Sequence, residues 1–265
     1  MIHREPRRRV EWISSAWVAS AALVWVACGG VVGDVDGDAG ASASSSEAGT
    51  SHGDGFDPPT PPDLGAGAVV CGEPGESIGT DEEVALLAGC EVFQGTIIIP
   101  YPHVGDLSPL ASLRVIVTGL TGNRGADPYT LEGLNQLEWV GKFYFSDGLN
   151  DLSAMGNLVG VEHFVQFLGA GLTDCRGLEH LRSVGGDLNF VANRELSSLD
   201  GLSGLEWIGG NLKIEANRKL DSLSGLSSLR QVDGNVTFQV NESLPPAEID
   251  ALLSRIEVGG EILRN

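Results

Sequence analysis

From Gly177 onward the apolar and polar positions of this chain recur every 24 residues. Val184, Ile208 and Val232 keep this step, as do Leu188, Leu212 and Val236, Asn193, Asn217 and Asn241, and Leu196, Leu220 and Leu244. A fixed period of this length marks stacked repeats, each too small to bury its own apolar face. Within each repeat Leu188 and Phe190, Leu212 and Ile214, and Val236 and Phe238 alternate with Asn189, Lys213 and Thr237. That alternation is the period-two signature of a half-buried strand. The pattern predicts an all-β dominated chain, a right-handed parallel β-helix or leucine-rich solenoid whose short strands pair in parallel from repeat to repeat.

The pattern continues upstream with drift. Leu110, Leu113 and Ile116 sit 24 residues before Leu134, Leu137 and Val140, whereas Leu137 to Leu158 is 21 and Leu158 to Leu181 is 23. About six coils are expected between roughly Glu91 and Leu244, with length changes taken up in loops at the coil edges. Gly185-Gly186, Gly209-Gly210 and Asp233-Gly234 precede the strands, where a corner with positive φ is expected. Asn193, Asn217 and Asn241 follow the strands, where stacked amides are expected to bond corner backbone groups.

A stack of repeats exposes an apolar cross-section at both ends, and each end carries the pattern of a short capping helix. Thr80-Asp81-Glu82-Glu83 reads as a capping box, with Val84, Leu86 and Leu87 as an apolar face and Gly89 as a stop before Cys90. Pro245-Pro246 opens a second helix with Ile249, Leu252, Leu253 and Ile256 at helical spacing, and Val258 to Leu263 returns as a last strand.

The segment CGEPGESIGTDEEVALLAGCEVFQGTIII (Cys71 to Ile99), followed by coils of the form L-x-x-L-x-x-[VI]-x-G-[ND]-[LV]-x-[IF]-x-x-N-x-x-L, resembles the receptor L domain. That leucine-rich, β-helix-like module occurs in the insulin and epidermal growth factor receptor ectodomains and in bacterial surface proteins. The resemblance covers about Cys71 to Asn265. It implies a disulfide between Cys71 and Cys90, worth about 3 kcal/mol to the amino-terminal cap on the loop-entropy model. Bacterial members often carry a cysteine in the final cap, and LPPAEIDALL has none here.

The front of the chain is built differently. Arg4 and Arg7 to Arg9 form a basic region, Trp12 to Ala27 is an uncharged, mostly apolar run, and Ala27-Cys28-Gly29 follows. This resembles the lipobox of bacterial lipoproteins, in which Cys28 becomes the lipid-modified amino terminus; Trp25 stands where that family usually has Leu. Simple secretion and a retained anchor are the alternatives, and the apolar run is short for a span. Residues 28–68, rich in Gly, Ser, Ala, Asp and Pro, read as a disordered tether with an end-to-end distance of roughly 35 Å. The expected organisation is thus a signal peptide over 1–27, the tether over 28–68, and a solenoid over 69–265 with caps at 69–90 and 245–265.

Charge and chemistry narrow the function. The formal net charge is −20, and loss of the signal peptide makes it −22. Bulk electrostatics therefore disfavour nucleic acid and anionic lipid, leaving the acyl chains as the expected membrane attachment. Asp34-x-Asp36-x-Asp38 begins like a calcium loop but places Ala39 at the sixth position and Ser45 at the twelfth. Gly75-Glu76-Ser77-Ile78-Gly79 matches a nucleophile elbow outside the strand-helix setting that motif needs. His3, His52, His103, His163 and His180 show no metal-ligand spacing, and Cys175 is expected as a buried free thiol. Arg194-Glu195, Arg218-Lys219 and Glu242-Ser243 are expected as solvated pairs stacked on the turns. Neither catalytic residues nor a cofactor are expected.

The sequence points instead to the exposed sheet face. Its expected outward positions are Asn189 and Val191, Lys213 and Glu215, and Thr237 and Gln239, with Tyr144, Phe164 and Gln166 continuing them through the drifted register. If the phase is off by one in the irregular coils, those rings are core instead. The expected function is a non-enzymatic envelope lipoprotein, of the outer membrane, that binds a protein or glycan. A β-helix enzyme acting on polysaccharide and a purely structural envelope protein are the alternatives.

Overall fold

The computed structural model describes residues 60–99, 106–122 and 130–265. The expected signal peptide, Cys28, the calcium-like Asp34 to Ser45, His3, His52, His103 and the tether up to residue 59 lie outside the described residues. Strand accounts for 30% of the described residues and helix for 11%, so the chain is strand-dominated. The strands form one open, 16-stranded sheet in which every pairing is parallel.

Two lines of pairing run through this sheet; both keep the predicted 24-residue step through the regular repeats, from Val184 to Val232 and from Leu188 to Val236, and depart from it towards either end. In the first, Cys71, Phe93, Ile116, Val140, Val161, Val184, Ile208, Val232 and Val258 stand opposite one another in turn. From Phe93 to Val232 each member of that column is fully buried. In the second, Ile78, Ile97, Leu120, Phe143, Val165, Leu188, Leu212, Val236 and Ile262 align in the same way. Two residues further along each strand lies a third column, Phe145, Phe167, Phe190, Ile214, Phe238 and Arg264. The Phe167 and Phe190 rings stack with centroids 5.3 Å apart, and Phe143 meets Phe145 edge-on at 4.9 Å. Like side chains thus pack on like, which lets each repeat fill the space above its neighbour without changing shape. The third column ends in a charge, because Arg264 stands beside Phe238 and pairs with Asp250.

The glycine pairs work differently from the expectation. Gly185, Gly186, Gly209, Gly210 and Gly234 do not adopt positive φ. They are required by backbone approach: a Cβ on Gly185 would lie 2.0 Å from the Glu162 carbonyl oxygen, and one on Gly186 2.1 Å from that of His163. Positive φ falls instead after the strands, at Ala192, Ala216 and Val240, with φ of 57°, 58° and 55°. A left-handed valine is strained and persists only where its surroundings fix it.

The drift in spacing is also handled within strands, not only in loops. Val140 pairs with Val161, a step of 21 residues, and Lys142 with Phe164, a step of 22. A register shift between Val140 and Lys142 absorbs the extra residue inside the two longest strands, Trp139–Ser146 and Gly160–Leu168. Gly141 makes this possible, since a Cβ there would sit 2.1 Å from the Val117 carbonyl oxygen.

Two α-helices add apolar side chains to the same core. Helix α1, Asp81–Ala85, carries the predicted capping box: Glu83 N–H donates to Thr80 Oγ1, and Glu83 Oε2 accepts from the N–H groups of Gly79 and Thr80. Those bonds, that from Gly79 first, hold the Glu83 carboxyl below its usual range. Val84 and Leu87 are buried, but Leu86 is 76% exposed, because the residue two positions after Val84 turns to the opposite side of a helix. Helix α2, Pro246–Leu253, buries Ile249 and Leu252. Cys71 and Cys90 form the disulfide. Leu64 and Ala68, in the span expected as tether, pack with Val70 against a separate cluster of Val92, Val115 and Trp139.

Replacing one member of the first column tests this packing directly. Ile208→Asp places an unpaired carboxylate among fully buried side chains and is expected to cost about 4 kcal/mol or more. Urea denaturation is the check, and a wild-type midpoint would contradict the register.

Candidate functional site

Amide side chains occupy two classes of position in this fold, and their hydrogen bonds separate them. After the strands, Asn217 Oδ1 accepts from the backbone N–H of Asn193 at 2.9 Å, and Asn241 Oδ1 accepts from that of Asn217 at 3.0 Å. The Asn193, Asn217 and Asn241 side chains donate in turn to the carbonyls of Phe167, Phe190 and Ile214 at 3.0, 2.9 and 2.8 Å. Asn193 and Asn217 are completely buried. Before the strands a second ladder does similar work: Asp187 Oδ1 accepts from Asn211 N–H at 2.7 Å, and Asn211 Oδ1 accepts from Asn235 N–H at 2.8 Å. The first ladder matches the corner role read from the sequence; the second was visible only as the unassigned Asn/Asp position of the repeat.

The outward amides are different. Tyr144 stands opposite Gln166, Gln166 opposite Asn189, Asn189 opposite Lys213, and Lys213 opposite Thr237. All five are half-buried, whereas their strand neighbours Phe143, Phe145, Val165 and Phe167 are core. The phase of the irregular strands therefore puts these side chains on the open side. With strands spaced about 4.8 Å apart, the row from Tyr144 to Thr237 extends about 19 Å. Phe164 lies one pleat away, opposite Lys142, and Glu215 lies opposite Gln239 in the row on the other side. These eight predicted residues thus share one face in three adjacent rows.

Sequence reasoning missed two neighbours. Thr121 pairs with Tyr144 and extends the row, and Lys142 is exposed beside Phe164. Counting two residues back from Tyr144 identifies Lys142; Thr121 is harder to find because its repeat follows a step of 23.

Within this face, Lys213 Nζ bonds Glu215 Oε2 at 2.6 Å. Among the described residues the side chains of Tyr144, Gln166, Asn189, Thr237 and Gln239 make no hydrogen bond. Polar groups free of internal partners, held on paired strands, are available to a ligand without first breaking bonds. Among the described residues Lys142 also has no carboxylate partner, unlike Lys213 and Lys219.

The other candidates serve the fold. Ser77 lies within a two-residue strand paired with Thr96; helix α1 does follow that strand at Asp81, contrary to the expectation, but Ser77 sits in the strand and not at the turn between the two elements. His163 is exposed within Gly160–Leu168, and His180 Nδ1 contacts the Gly156 carbonyl. Lys219 pairs with Glu195 at 2.5 Å and Arg218 with Glu242 at 3.3 Å on the exposed turns. A groove of 500 Å³ is lined by Asp151, Asp174, Arg176 and Glu179. Its carboxylates are already spent on local N–H groups: Asp151 on Ser153, Asp174 on Arg176, and Glu179 on Gly177. Cys175 is free and fully buried, and burial pushes its thiol up, with smaller contributions from Asp174 and Asp200.

Comparison with family models, with curated proteins and with solved structures returns no match.

Two outcomes follow from the division between tied and free groups. Asn217→Ala orphans the Asn193 N–H and the Phe190 carbonyl and is expected to cost about 2–5 kcal/mol, against about 0.5 kcal/mol or less for Asn189→Ala. Denaturation of the two variants side by side measures the difference. Cys175 is expected to resist iodoacetamide in the folded protein and to react once guanidinium unfolds it, as mass spectrometry would show.

Proposed function

We propose that this chain is an exported, lipid-anchored protein of the cell envelope, of the outer membrane, that displays a receptor-L-domain-like solenoid for binding a protein or glycan. The basic amino-terminal region, the apolar run and Ala27-Cys28-Gly29 support the anchor, with Cys28 as the acylated residue. The 24-residue period and the parallel pairing of like with like support the solenoid. The helices at Asp81–Ala85 and Pro246–Leu253 fit its caps.

One observation carries the binding role. The chain ties its corner amides into ladders, yet leaves a row of phenol, amide and hydroxyl groups unbonded on an ordered sheet face. A face with only a structural duty gains nothing from half-buried Tyr144 and Phe164 beside free amides, whereas ring faces and amides together suit recognition. The role needs no catalytic group, and Lys213, the cation within the row, is neutralised by Glu215.

Both halves of the proposal have a direct test. Cys28→Ser is expected to move the protein from the detergent phase to the aqueous phase; unchanged partitioning would remove the anchor. In glycan and protein-ligand screens with the full chain, Tyr144→Ala with Gln166→Ala is expected to weaken binding at least about tenfold at unchanged thermal stability. Turnover of a polysaccharide by the purified chain would overturn the non-enzymatic reading.

A further inference from the structure

We infer that the ligand of this face is a neutral, extended polysaccharide lying across the strands, about one sugar per strand, with its stacking end at Tyr144 and Phe164. This inference rests on the ligand-binding reading above and adds the class, direction and register of the ligand.

The first support is the chemistry of the row. Gln166 and Asn189 each offer both donors and an acceptor, Tyr144 and Thr237 each a hydroxyl, and Lys213 an ammonium group. Such a series matches the hydroxyl-lined edge of a sugar chain. A protein partner needs an apolar centre to its interface. Of the strongly exposed apolar residues, Leu86, Val117, Val159, Val240 and Ile262 lie off this row, and Leu263, opposite Thr237, stands at its far end and not at its centre.

Spacing is the second support. Successive members of the row sit on hydrogen-bonded neighbouring strands, so they repeat every 4.8 Å or so, close to the advance of one pyranose unit in an extended chain. A ligand running along a strand would meet groups at a different interval and on only one or two residues. The match therefore selects the direction across the strands.

Asymmetry and charge complete the argument. Aromatic rings occur at one end only, at Tyr144 and Phe164, so a sugar face stacks there while the rest of the chain is held by hydrogen bonds. A net charge of −20 repels polyanions, and Glu215 cancels Lys213 within the face. The fitting chain is therefore neutral, with Lys142 donating to hydroxyls beside Phe164.

Calorimetry on the full chain in detergent, with cello-, xylo- and chito-oligosaccharides of about two to six units, tests this reading. In at least one series Kd is expected to fall with each added sugar up to about five units and then level. Tyr144→Ala is expected to raise Kd about tenfold at every length, and Thr237→Ala only for chains of about five units or more. Affinity independent of length, an equal loss at all lengths from Thr237→Ala, or tighter binding of polygalacturonate than of any neutral series would overturn the inference. If no neutral series binds but a protein ligand does, and Tyr144→Ala abolishes it, the inference falls while the binding face stands. A ligand indifferent to Tyr144, Gln166 and Asn189 brings down both.

Discussion

A buried amide survives in an apolar interior only when its oxygen and both hydrogens have somewhere to go, and in this chain the repeat itself supplies the answer. Asn217 sits between Asn193 and Asn241, accepting from one and donating its own backbone N–H to the other. Its remaining amide hydrogen closes the turn back onto Phe190. The bond exists only if the repeats are in register, because a slip of one residue leaves every member of the ladder unsatisfied at once. The same slip would turn the apolar columns to the open side, so core and ladder enforce one register together. The ladder also accounts for the left-handed turn at Ala192, Ala216 and Val240, which the amide bonds hold in place without glycine.

This constraint frees the opposite side of the strands. Because stacking is enforced at the corners and in the core, the outward positions carry no duty in setting the register. They vary from Tyr144 through Gln166, Asn189 and Lys213 to Thr237 with no disturbance of the columns beneath. A scaffold of this kind separates the residues whose side chains are tied into it from those left without internal hydrogen bonds, and the distinction is visible in the bonding pattern itself.

The regular repeats were legible because their period is constant: Leu188, Leu212 and Val236 pair as their spacing predicts. The outward phase at Tyr144 and Gln166 was legible as an alternation, although the sequence alone left it open to a one-residue error. What stayed hidden was whatever depends on distance between backbones. Gly185 and Gly209 look like turn glycines in sequence, and only the approach of the neighbouring strand shows that their missing Cβ is the point. The register shift beside Gly141 was hidden for the same reason, since counting residues locates a change in length without saying whether a loop or a strand absorbs it. Leu64 and Ala68 are too few and too widely spaced to stand out from the polar segment around them, and the cluster of Val92, Val115 and Trp139 they pack against is distant in sequence.

The last position of the phenylalanine column has a further consequence. Stacking of like on like has no intrinsic end, since each repeat presents to the next the surface on which it was itself laid down. Arg264 breaks that sameness by putting a guanidinium, held by Asp250, where another apolar ring would otherwise sit. Any second chain seeking to extend the column from this side would have to strip water from that ion pair and seal it against Phe238, a poor exchange. The consequence is local to that column: among the described residues its final position offers an ion pair, and not a ring, to whatever approaches it.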